Sequence, residues 1–353
     1  MKKYLFPFIA VALCLASCSD DDDKNVVFIP EEIAPTVSVE CASPRFMVAH
    51  EGKVYVTSQA GDVVRIDTVS LSVEASVKVG RNPEQLCISA NKLFVANSGG
   101  LDYPNYDKTV SVVDIPSFVE ERKIEVVANP SNILNAGDGT LYLVSYGNYA
   151  DIPAALQKVD ATTSEVTDLS PVNMSEMCCS DGLLYGILSE YDAYWNQTIS
   201  YKLYNTLTGE LSPSSWITDG TTVSNPYKLC TVGNYIALTD APYAANGDVY
   251  LFTKGGEKVS SFPVGLYPVK VVEAGKYIYV LNSGIMNDNN ASLTRYNTES
   301  GEVLPECCFK VVNGYGIGDT ANDILVYGSK MYITVTTDNV VWVINLNSSA
   351  WKE

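Results

Sequence analysis

Short runs of alternating hydrophobic and polar residues follow one another along most of the chain, separated by turns rich in Gly, Asn, Asp and Pro. Between residues 82 and 129 the runs are PEQLCIS, NKLFVANS, TVSVVD and VEERKIEVVA, with a polar segment between the second and the third. Alternation over four to eight residues is typical of β-strands. A further Asn-Pro pair at residues 129–130 opens the next unit, so the unit repeats.

One short polar residue closes the third run of each unit and marks the repeat. These residues are Asp67, Asp114, Asp160, Asn205, Thr253, Asn297 and Asn345, at intervals of 44 to 48 residues. Their side chains are expected to cap the turn that follows. Seven units of four strands at this period predict an all-β fold, a seven-bladed β-propeller with four-stranded blades.

The two ends of the repeat complement each other. Residues 33–40 predict a strand that precedes the first complete unit, and the last unit stops after its third run, at residues 340–346. We therefore predict that the N-terminal strand closes the last blade, which would leave no open sheet edge in the ring. The predicted propeller domain covers residues 31–353.

The N-terminus predicts export and lipidation. Lys2 and Lys3 precede an apolar run at residues 4–16, which is too short for a membrane-spanning helix and typical of a signal-peptide core. The run ends in Leu-Ala-Ser-Cys at residues 15–18, which resembles the lipobox of bacterial lipoproteins. This predicts a signal peptide at 1–17 and an acidic tether at 18–30 that is acylated on Cys18, giving a membrane anchor.

Acidic residues bear on two predictions, the cellular location of the protein and the kinds of partner it can bind. Four consecutive Asp at residues 20–23 resemble the export tag of Bacteroidetes surface lipoproteins, which implies an outer-membrane lipoprotein that faces the cell exterior. The formal charge of −18 argues against binding to nucleic-acid phosphates. We expect the propeller to be monomeric, although the sequence itself does not determine the oligomeric state.

Cysteine and histidine usage predicts no metal site. Cys87, Cys178 and Cys230 share one phase of the repeat, in the inner strand, and are interpreted as thiols packed near the axis. The adjacent Cys pairs lack zinc-finger spacing, and the chain has a single His, His50. No nucleophile, phosphate-binding or dinucleotide motif occurs in a supporting context, so we predict that the protein is not an enzyme and has no cofactor of its own.

Residues that repeat are interpreted as scaffold, and residues that depart from the repeat as candidates for function. The second strands carry recurring residues expected to pack between blades: Tyr55, Phe94, Tyr142, Tyr185, Ile236, Tyr279 and Tyr332. The connections between second and third strands differ most, at residues 98–108, 146–153, 189–197, 240–247 and 283–290. In four-stranded propeller blades these connections lie on the same face as the start of the inner strand, which predicts a ligand site around the axial mouth.

The candidate site is rich in aromatic and amide side chains, which give large contact area and hydrogen bonds at low entropic cost. The predicted ligand-binding residues are Arg45, Gln85, Asn97, Tyr103, Tyr106, Asn132, Tyr146, Tyr149, Tyr194, Trp195, Tyr227, Tyr243, Asn282 and Met286. Carboxylates on the same connections leave a carboxylate pair or a structural calcium ion open: Asp102, Asp107, Asp151, Asp192, Asp240 and Asp288.

The motif K-L-F-V, N-S-G, V-S-V-V-D and N-P, between Lys92 and Pro130, resembles the YncE-like or surface-layer-type seven-bladed propellers over most of residues 40–346. Together with the lipobox and the acidic tag, the chain resembles surface lipoprotein propellers of gut Bacteroidetes. One branch of these is the BtuG-type cobalamin-binding proteins, which work with an outer-membrane corrinoid transporter. The resemblance implies cobalamin as the bound ligand and a TonB-dependent transporter as partner. No short motif marks this branch, so it assigns no site residues.

Three functions are compatible with these observations. The leading hypothesis is a non-enzymatic surface lipoprotein that captures a nutrient, with cobalamin or another corrinoid as the ligand, and passes it to the transporter. The second is a glycan-binding or adhesion module, in which the same Tyr and Trp side chains would stack on sugar rings. The third is a metal-dependent hydrolase or lyase that uses the carboxylates of the connections.

Overall fold

Strands account for nearly all of the regular secondary structure of the described residues. The computed structural model describes residues 36–348 except 193, 195 and 305–307, so the predicted signal peptide, the tether with Cys18, and Trp195 lie outside the described residues. The described part of the chain starts with β1 (Thr36–Glu40), and its strands form seven four-stranded antiparallel sheets. The protein is a seven-bladed β-propeller, as the repeat predicted.

The first three blades each contain four consecutive strands. Blade 1 contains β2 (Pro44–His50), β3 (Lys53–Ser58), β4 (Asp62–Asp67) and β5 (Val73–Lys78). Blade 2 contains β6 (Pro83–Ser89), β7 (Lys92–Asn97), β8 (Thr109–Asp114) and β9 (Val119–Glu125). Blade 3 contains β10 (Pro130–Asn135), β11 (Thr140–Ser145), β12 (Ala155–Asp160) and β13 (Val166–Asp168).

The remaining blades follow the same order. Blade 4 contains β14 (Glu176–Ser180), β15 (Leu183–Tyr191), β16 (Gln197–Asn205) and β17 (Glu210–Leu211). Blade 5 contains β18 (Pro226–Val232), β19 (Tyr235–Asp240), β20 (Asn246–Thr253) and β21 (Lys258–Leu266). Blade 6 contains β22 (Pro268–Ala274), β23 (Tyr277–Asn282), β24 (Ser292–Asn297) and β25 (Val303–Leu304), after which comes α1 (Cys308–Asn313). Blade 7 contains β26 (Ala321–Tyr327), β27 (Lys330–Val335) and β28 (Val340–Asn345).

The N-terminal strand closes the ring, as predicted. β1 pairs antiparallel with β28, from Thr36 opposite Ile344 to Glu40 opposite Val340, and becomes the outer strand of blade 7. At the centre, the inner strand β2 contacts both β6 and β26, so the seven inner strands form a closed circle. Closure covers the edge of β28, which would otherwise expose unpaired backbone groups.

The residue that closes each third strand caps the following turn in all seven blades. Asp67 Oδ1 accepts hydrogen bonds from the backbone amides of Val69 at 2.9 Å and Ser70 at 2.6 Å. Equivalent bonds are made by Asp114, Asp160, Asn205, Thr253, Asn297 and Asn345. The capping prediction is therefore confirmed, including the Thr in blade 5.

Aromatic rings at the third position of the second strand pack between blades. Six are almost completely buried: Tyr55, Phe94, Tyr142, Tyr185, Tyr279 and Tyr332. In blade 4 the third position is held by Tyr185, which pairs with Cys178 of the inner strand. In blade 5 the residue that pairs with the equivalent Cys230 is Ala237, so the predicted residue, Ile236, was one position too early. Both residues are buried. Because this strand has no aromatic residue at its third position, the sequence pattern did not show which residue occupies that position.

The ring has two unlike faces. Backbone bonds join Ser98 N to Asn82 O at 3.3 Å, and Tyr146 N to Asn129 O at 3.0 Å, which brings the end of a second strand beside the start of an inner strand. We call the face formed by these starts and by the connections between second and third strands the loop face. The opposite face, formed by the turns between first and second and between third and fourth strands, is the turn face. No helix among the described residues is long and apolar enough to cross a membrane.

Candidate ligand-binding site

Exposed aromatic side chains project from the loop face. Tyr243 is 91% exposed and Tyr194 is 85% exposed, and both lie on connections between second and third strands. Tyr103, Tyr149 and Met286 are exposed on the equivalent connections of blades 2, 3 and 6. Together these exposed side chains form a surface that a ligand can cover.

The hairpin of blade 4 extends beyond its neighbours. β15 and β16 have nine residues each and stay paired up to Tyr191 and Gln197, whereas the corresponding strands of blade 3 have six. The tip is held by Asp192 Oδ1, which accepts the backbone amides of Tyr194 at 2.8 Å and Asn196 at 2.9 Å. The longer strands therefore raise Tyr194 above the loop face.

The connection of blade 2 is fixed by Arg81. Its guanidinium donates from Nη1 to Asp102 Oδ2 at 2.8 Å and from Nε to Asp107 Oδ1 at 2.9 Å. At the end of this connection, the ring of Tyr106 lies edge-on to that of Tyr149 with centroids 5.9 Å apart. The connections of blades 2 and 3 thus share one aromatic surface, which brings two predicted site residues together.

Three predicted site residues lie within the scaffold beneath the loop face. Asn97 is buried, donates from Nδ2 to Thr109 Oγ1 at 3.0 Å and Ser111 Oγ at 2.9 Å, and accepts from Gly80 N at 3.1 Å. Asn282 is buried in the equivalent position of blade 6 and donates to two hydroxyl groups of β24. Tyr146 donates to Ser175 O at 3.1 Å, and its burial raises its pKa to about 12.

The other predicted residues surround the mouth of an axial channel. Arg45, Gln85, Asn132 and Tyr227 line a cavity of about 630 Å³ that the inner strands enclose. One residue from each inner strand, two positions before the residue that pairs with the third position of the second strand, forms what we call the upper ring. Its members are Phe46, Gln85, Asn132, Glu176, Lys228, Lys270 and Asp323.

Charged groups of the upper ring are paired across blades. Glu176 accepts from Lys228 Nζ at 2.6 Å and, through its other oxygen, from Asn132 Nδ2 at 2.6 Å. Burial lowers the pKa of Lys228, but the nearby Glu176 carboxylate outweighs this effect, so the pKa of Lys228 is raised and the ammonium stays charged. Next to the ring, Arg45 forms an ion pair with Glu84 at 2.9 Å.

The pair in blades 6 and 7 is looser. Lys270 Nζ lies 3.7 Å from Asp323 Oδ1, and the Asp323 oxygens accept the backbone amides of Met47 at 2.8 Å and Ile324 at 3.0 Å. The Asp323 carboxylate raises the pKa of Lys270, while burial raises the pKa of Asp323 and Lys270 opposes that rise. The ammonium of Lys270 therefore remains charged at neutral pH.

Two residues deeper, the same strands form a second ring of different chemistry, which we call the lower ring. Its members are Val48, Cys87, Leu134, Cys178, Cys230, Val272 and Leu325, all of which line the channel. The three cysteines occupy one position in their blades, as the phase of the repeat predicted, and they are free thiols. Burial raises the pKa of Cys87 and Cys178, so both thiols are protonated and behave as small apolar groups.

Sequence reasoning missed most of the charged residues of the channel. Glu84, Glu176, Lys228, Lys270 and Asp323 were not among the predicted site residues. A signal was present, since Glu176 and Lys228 each lie two residues before a cysteine of shared phase. If the seven inner strands are aligned at the cysteine position, the residue two places earlier is polar or charged in six of them.

The carboxylates of the connections stabilise their own loops. Asp151 accepts from Asn148 Nδ2 at 2.8 Å, and Asp240 accepts from Asn225 N at 2.8 Å. Within the described part of the chain, no three His, Cys, Asp or Glu side chains come together as a metal-binding group. His50 lies at the far end of β2, on the turn face, with Nε2 3.2 Å from Asn91 Oδ1.

Comparisons with known proteins define the fold. No protein-family model and no curated protein matches the sequence. Among solved structures, the hydrazine synthase of Kuenenia stuttgartiensis has a TM-score of 0.61 at 18% identity, covering 88% of this chain and 97% of that chain. The β-propeller domain of Cps50 (Swd1) from Myceliophteria thermophila has a TM-score of 0.61 at 10% identity, covering 88% and 99%.

BamB from Moraxella catarrhalis is also similar, with a TM-score of 0.50 at 15% identity, covering 87% of this chain and 84% of that chain. Identities this low establish a shared β-propeller fold and carry no function across. The resemblance to YncE-like and BtuG-type propellers thus rests on the sequence motif alone. A propeller of this kind is consistent with a non-enzymatic binding module.

Proposed function

We propose that this protein is a non-enzymatic surface lipoprotein that captures a corrinoid such as cobalamin on its loop face and passes it to a TonB-dependent transporter in the outer membrane. Acylation of Cys18 would hold it on the outside of that membrane. The proposal combines the lipobox and acidic tag of the sequence with the chemistry of the loop face. It needs no metal ligand or catalytic group from the protein.

The observation that carries the proposal is the concentration of exposed tyrosines on one face. Seven tyrosines are exposed among the described residues. Tyr315, which follows α1, lies outside the loop face. The other six lie on the loop face: Tyr103, Tyr149, Tyr191, Tyr194, Tyr227 and Tyr243. A corrin ring is broad and nearly flat, and its edge bears amide side chains. Tyrosines suit such a ligand because each offers an apolar ring and a hydroxyl that can exchange hydrogen bonds with amides.

Cobalt coordination by histidine is not part of the proposal. The single histidine of the chain, His50, lies on the turn face. A corrinoid on the loop face would therefore be bound through ring contacts and hydrogen bonds to its periphery.

The position of β1 supports the proposed orientation. Thr36, the first described residue, pairs with Ile344 near the end of β28, where the chain turns on the turn face. A lipid tether that precedes β1 would thus join the propeller on the turn face. The proposed corrinoid site lies on the opposite face, the loop face.

Titration of the chain from residue 19 with cyanocobalamin in a calorimeter tests the proposal. This chain retains every strand of the ring. We expect one-to-one binding, and we expect Tyr243→Ala combined with Tyr149→Ala to weaken it about tenfold or more, as for aromatic anchors of other interfaces.

Two leucines provide a matched control for the face. Leu101 is 99% exposed on the loop face, and Leu207 is 80% exposed on the turn face. Leu101→Ala should reduce affinity, whereas Leu207→Ala should leave it unchanged. If neither calorimetry nor spectral titration detects cyanocobalamin binding, the corrinoid proposal is wrong. Binding of sugars on a glycan array would then favour the adhesion hypothesis.

A further inference from the structure

The axial channel changes chemistry with depth. Six of the seven upper-ring residues are polar or charged, with Phe46 as the exception, whereas every lower-ring residue is aliphatic or a thiol. Two residues of a strand separate the rings, or about 7 Å at 3.3 Å per residue. A ligand entering from the loop face would therefore meet charge first and an apolar wall below it.

Positive charge is concentrated on one side of the upper ring. Lys228 and Lys270 come from the adjacent blades 5 and 6, and their inner strands β18 and β22 contact each other directly. Glu176 and Asp323 stand on the outer sides of this pair, in blades 4 and 7, so no carboxylate of the ring separates the two lysines. The ring thus holds two lysines and two carboxylates, and the side formed by blades 5 and 6 is its positive side, where an anion is favoured.

Lys270 has capacity for another acceptor. Its side chain is 41% exposed to the channel, and its distance of 3.7 Å from Asp323 is too long for a good hydrogen bond. Asp323 has its own backbone donors in Met47 and Ile324, so it does not depend on Lys270. Lys228, in contrast, is held by Glu176 at 2.6 Å and lies 5.1 Å from the ring centroid of Tyr227.

The wall directly below the lysines is apolar. Cys230 follows Lys228 by two residues and Val272 follows Lys270 by two residues, on the same side of their strands. Val272 is half-buried and faces the channel, and Cys230 contributes a thiol whose pKa is raised by burial. An ammonium pair above such a wall matches a molecule with an acidic head and an apolar tail.

We infer that the axial channel is a binding site for a small organic carboxylate, with its carboxylate on Lys270 and Lys228 and its apolar tail against the lower ring. The cavity of about 630 Å³ lies within the usual size of small-molecule sites, roughly 300 to 1,000 Å³. A metal cation fits less well. Three of the four carboxylates that line the channel already have partners, namely Glu84, Glu176 and Asp323, and the described residues contain no group of three His, Cys, Asp or Glu side chains that could hold a metal. This inference does not depend on the proposed corrinoid function.

Octanoate is a suitable probe, and octylamine is its counterpart of opposite charge. Calorimetry on the chain from residue 19 should show one-to-one binding of octanoate and none of octylamine. Affinity should rise from acetate to hexanoate to octanoate, because each added methylene buries more apolar surface. Equal binding of octanoate and octylamine, or of octanoate and inorganic phosphate, would overturn the inference, as would no binding of octanoate.

Lys270 offers a variant that should fold, since Asp323 retains its backbone hydrogen bonds. We expect Lys270→Met to weaken octanoate binding about tenfold or more, and Lys270→Arg to restore it to near the wild-type value. Unchanged melting temperatures of the unliganded variants would show that the ring is intact. Wild-type affinity in Lys270→Met would contradict the site. Cyanocobalamin titration of the same samples is a separate readout, so failure of one proposal is distinguishable from failure of the other.

Discussion

The turn face and the loop face are built from the same seven blades, yet they differ in how strictly they follow the repeat. On the turn face, each third strand ends in a short polar residue that caps the next turn, from Asp67 to Asn345. On the loop face, the connections differ in length and sequence, and several expose tyrosines. The comparison indicates that repeated residues specify the ring, while the residues that vary provide its binding surface.

Removal of β1 would affect the ring most. Deletion of residues 1–40 exposes the edge of β28 and removes the buried side chain of Val39. We expect the free energy of unfolding to fall by more than about 4 kcal/mol, or the protein to aggregate through the open edge. Urea unfolding followed by circular dichroism measures this change. A chain that starts at residue 31 retains β1 and should match the wild type; equal stability of both deletions would contradict ring closure by β1.

A repeated aromatic residue of the scaffold should have the next largest effect. Phe94 has no exposed surface and packs between blades 2 and 3. Phe94→Ala should lower the free energy of unfolding by about 3 to 5 kcal/mol because it leaves a cavity. Tyr243→Ala on the loop face is the control, with an expected change within about 0.5 kcal/mol. Similar losses in the two variants, measured by urea unfolding, would remove the distinction between scaffold and binding surface.

A turn cap should contribute less than a core ring. Asn205 Oδ1 accepts the amides of Leu207 at 2.9 Å and Thr208 at 3.1 Å. Asn205→Ala should lower the free energy of unfolding by about 1 kcal/mol, the net value of a typical hydrogen bond. Asn205→Asp retains the acceptor and should be close to wild type at pH 7. A loss in the Asp variant as large as in the Ala variant would show that capping is not the reason.

The smallest expected effect is a difference in acid sensitivity. Hydrogen bonds from the backbone amides of Thr163 and Thr162 hold the pKa of Asp160 below its usual value. The cap thus stabilises the fold above the unfolded-state pKa, about 4, and this contribution is lost as the pH falls through the lower folded pKa. Asp160→Asn keeps an acceptor, as blade 4 does with Asn205, but does not titrate. The variant should lose less stability than the wild type between pH 6 and pH 3 in urea unfolding; an identical loss would refute the role of this carboxylate.

The fold could be predicted because its signals are local and repeated. Strand alternation, the residue at each third-strand end and the incomplete last unit together determined blade number and closure. Blade 5 was out of phase because Ala237 replaces the ring that marks the third position elsewhere. The strand itself is present in blade 5, and only the aromatic residue that identifies its third position is missing.

The site was less predictable because it depends on contacts between distant blades. Glu176 and Lys228 are 52 residues apart, and each alone resembles a solvent-exposed charge. Their pairing follows from the closed circle of inner strands. Asn97 and Asn282 were predicted as ligand contacts because they end strands beside the loop face, but their side chains point into the scaffold and donate to hydroxyl groups there.

Hydrogen–deuterium exchange with and without saturating cyanocobalamin tests the central claim most directly, because it reports on both faces at once. We expect slower exchange in the connections at residues 98–108, 146–153, 240–247 and 283–290, with no change in the capped turns after Asp67, Asp114 and Asp160. Protection confined to the capped turns, or no protection anywhere, would contradict the assignment of ligand binding to the loop face.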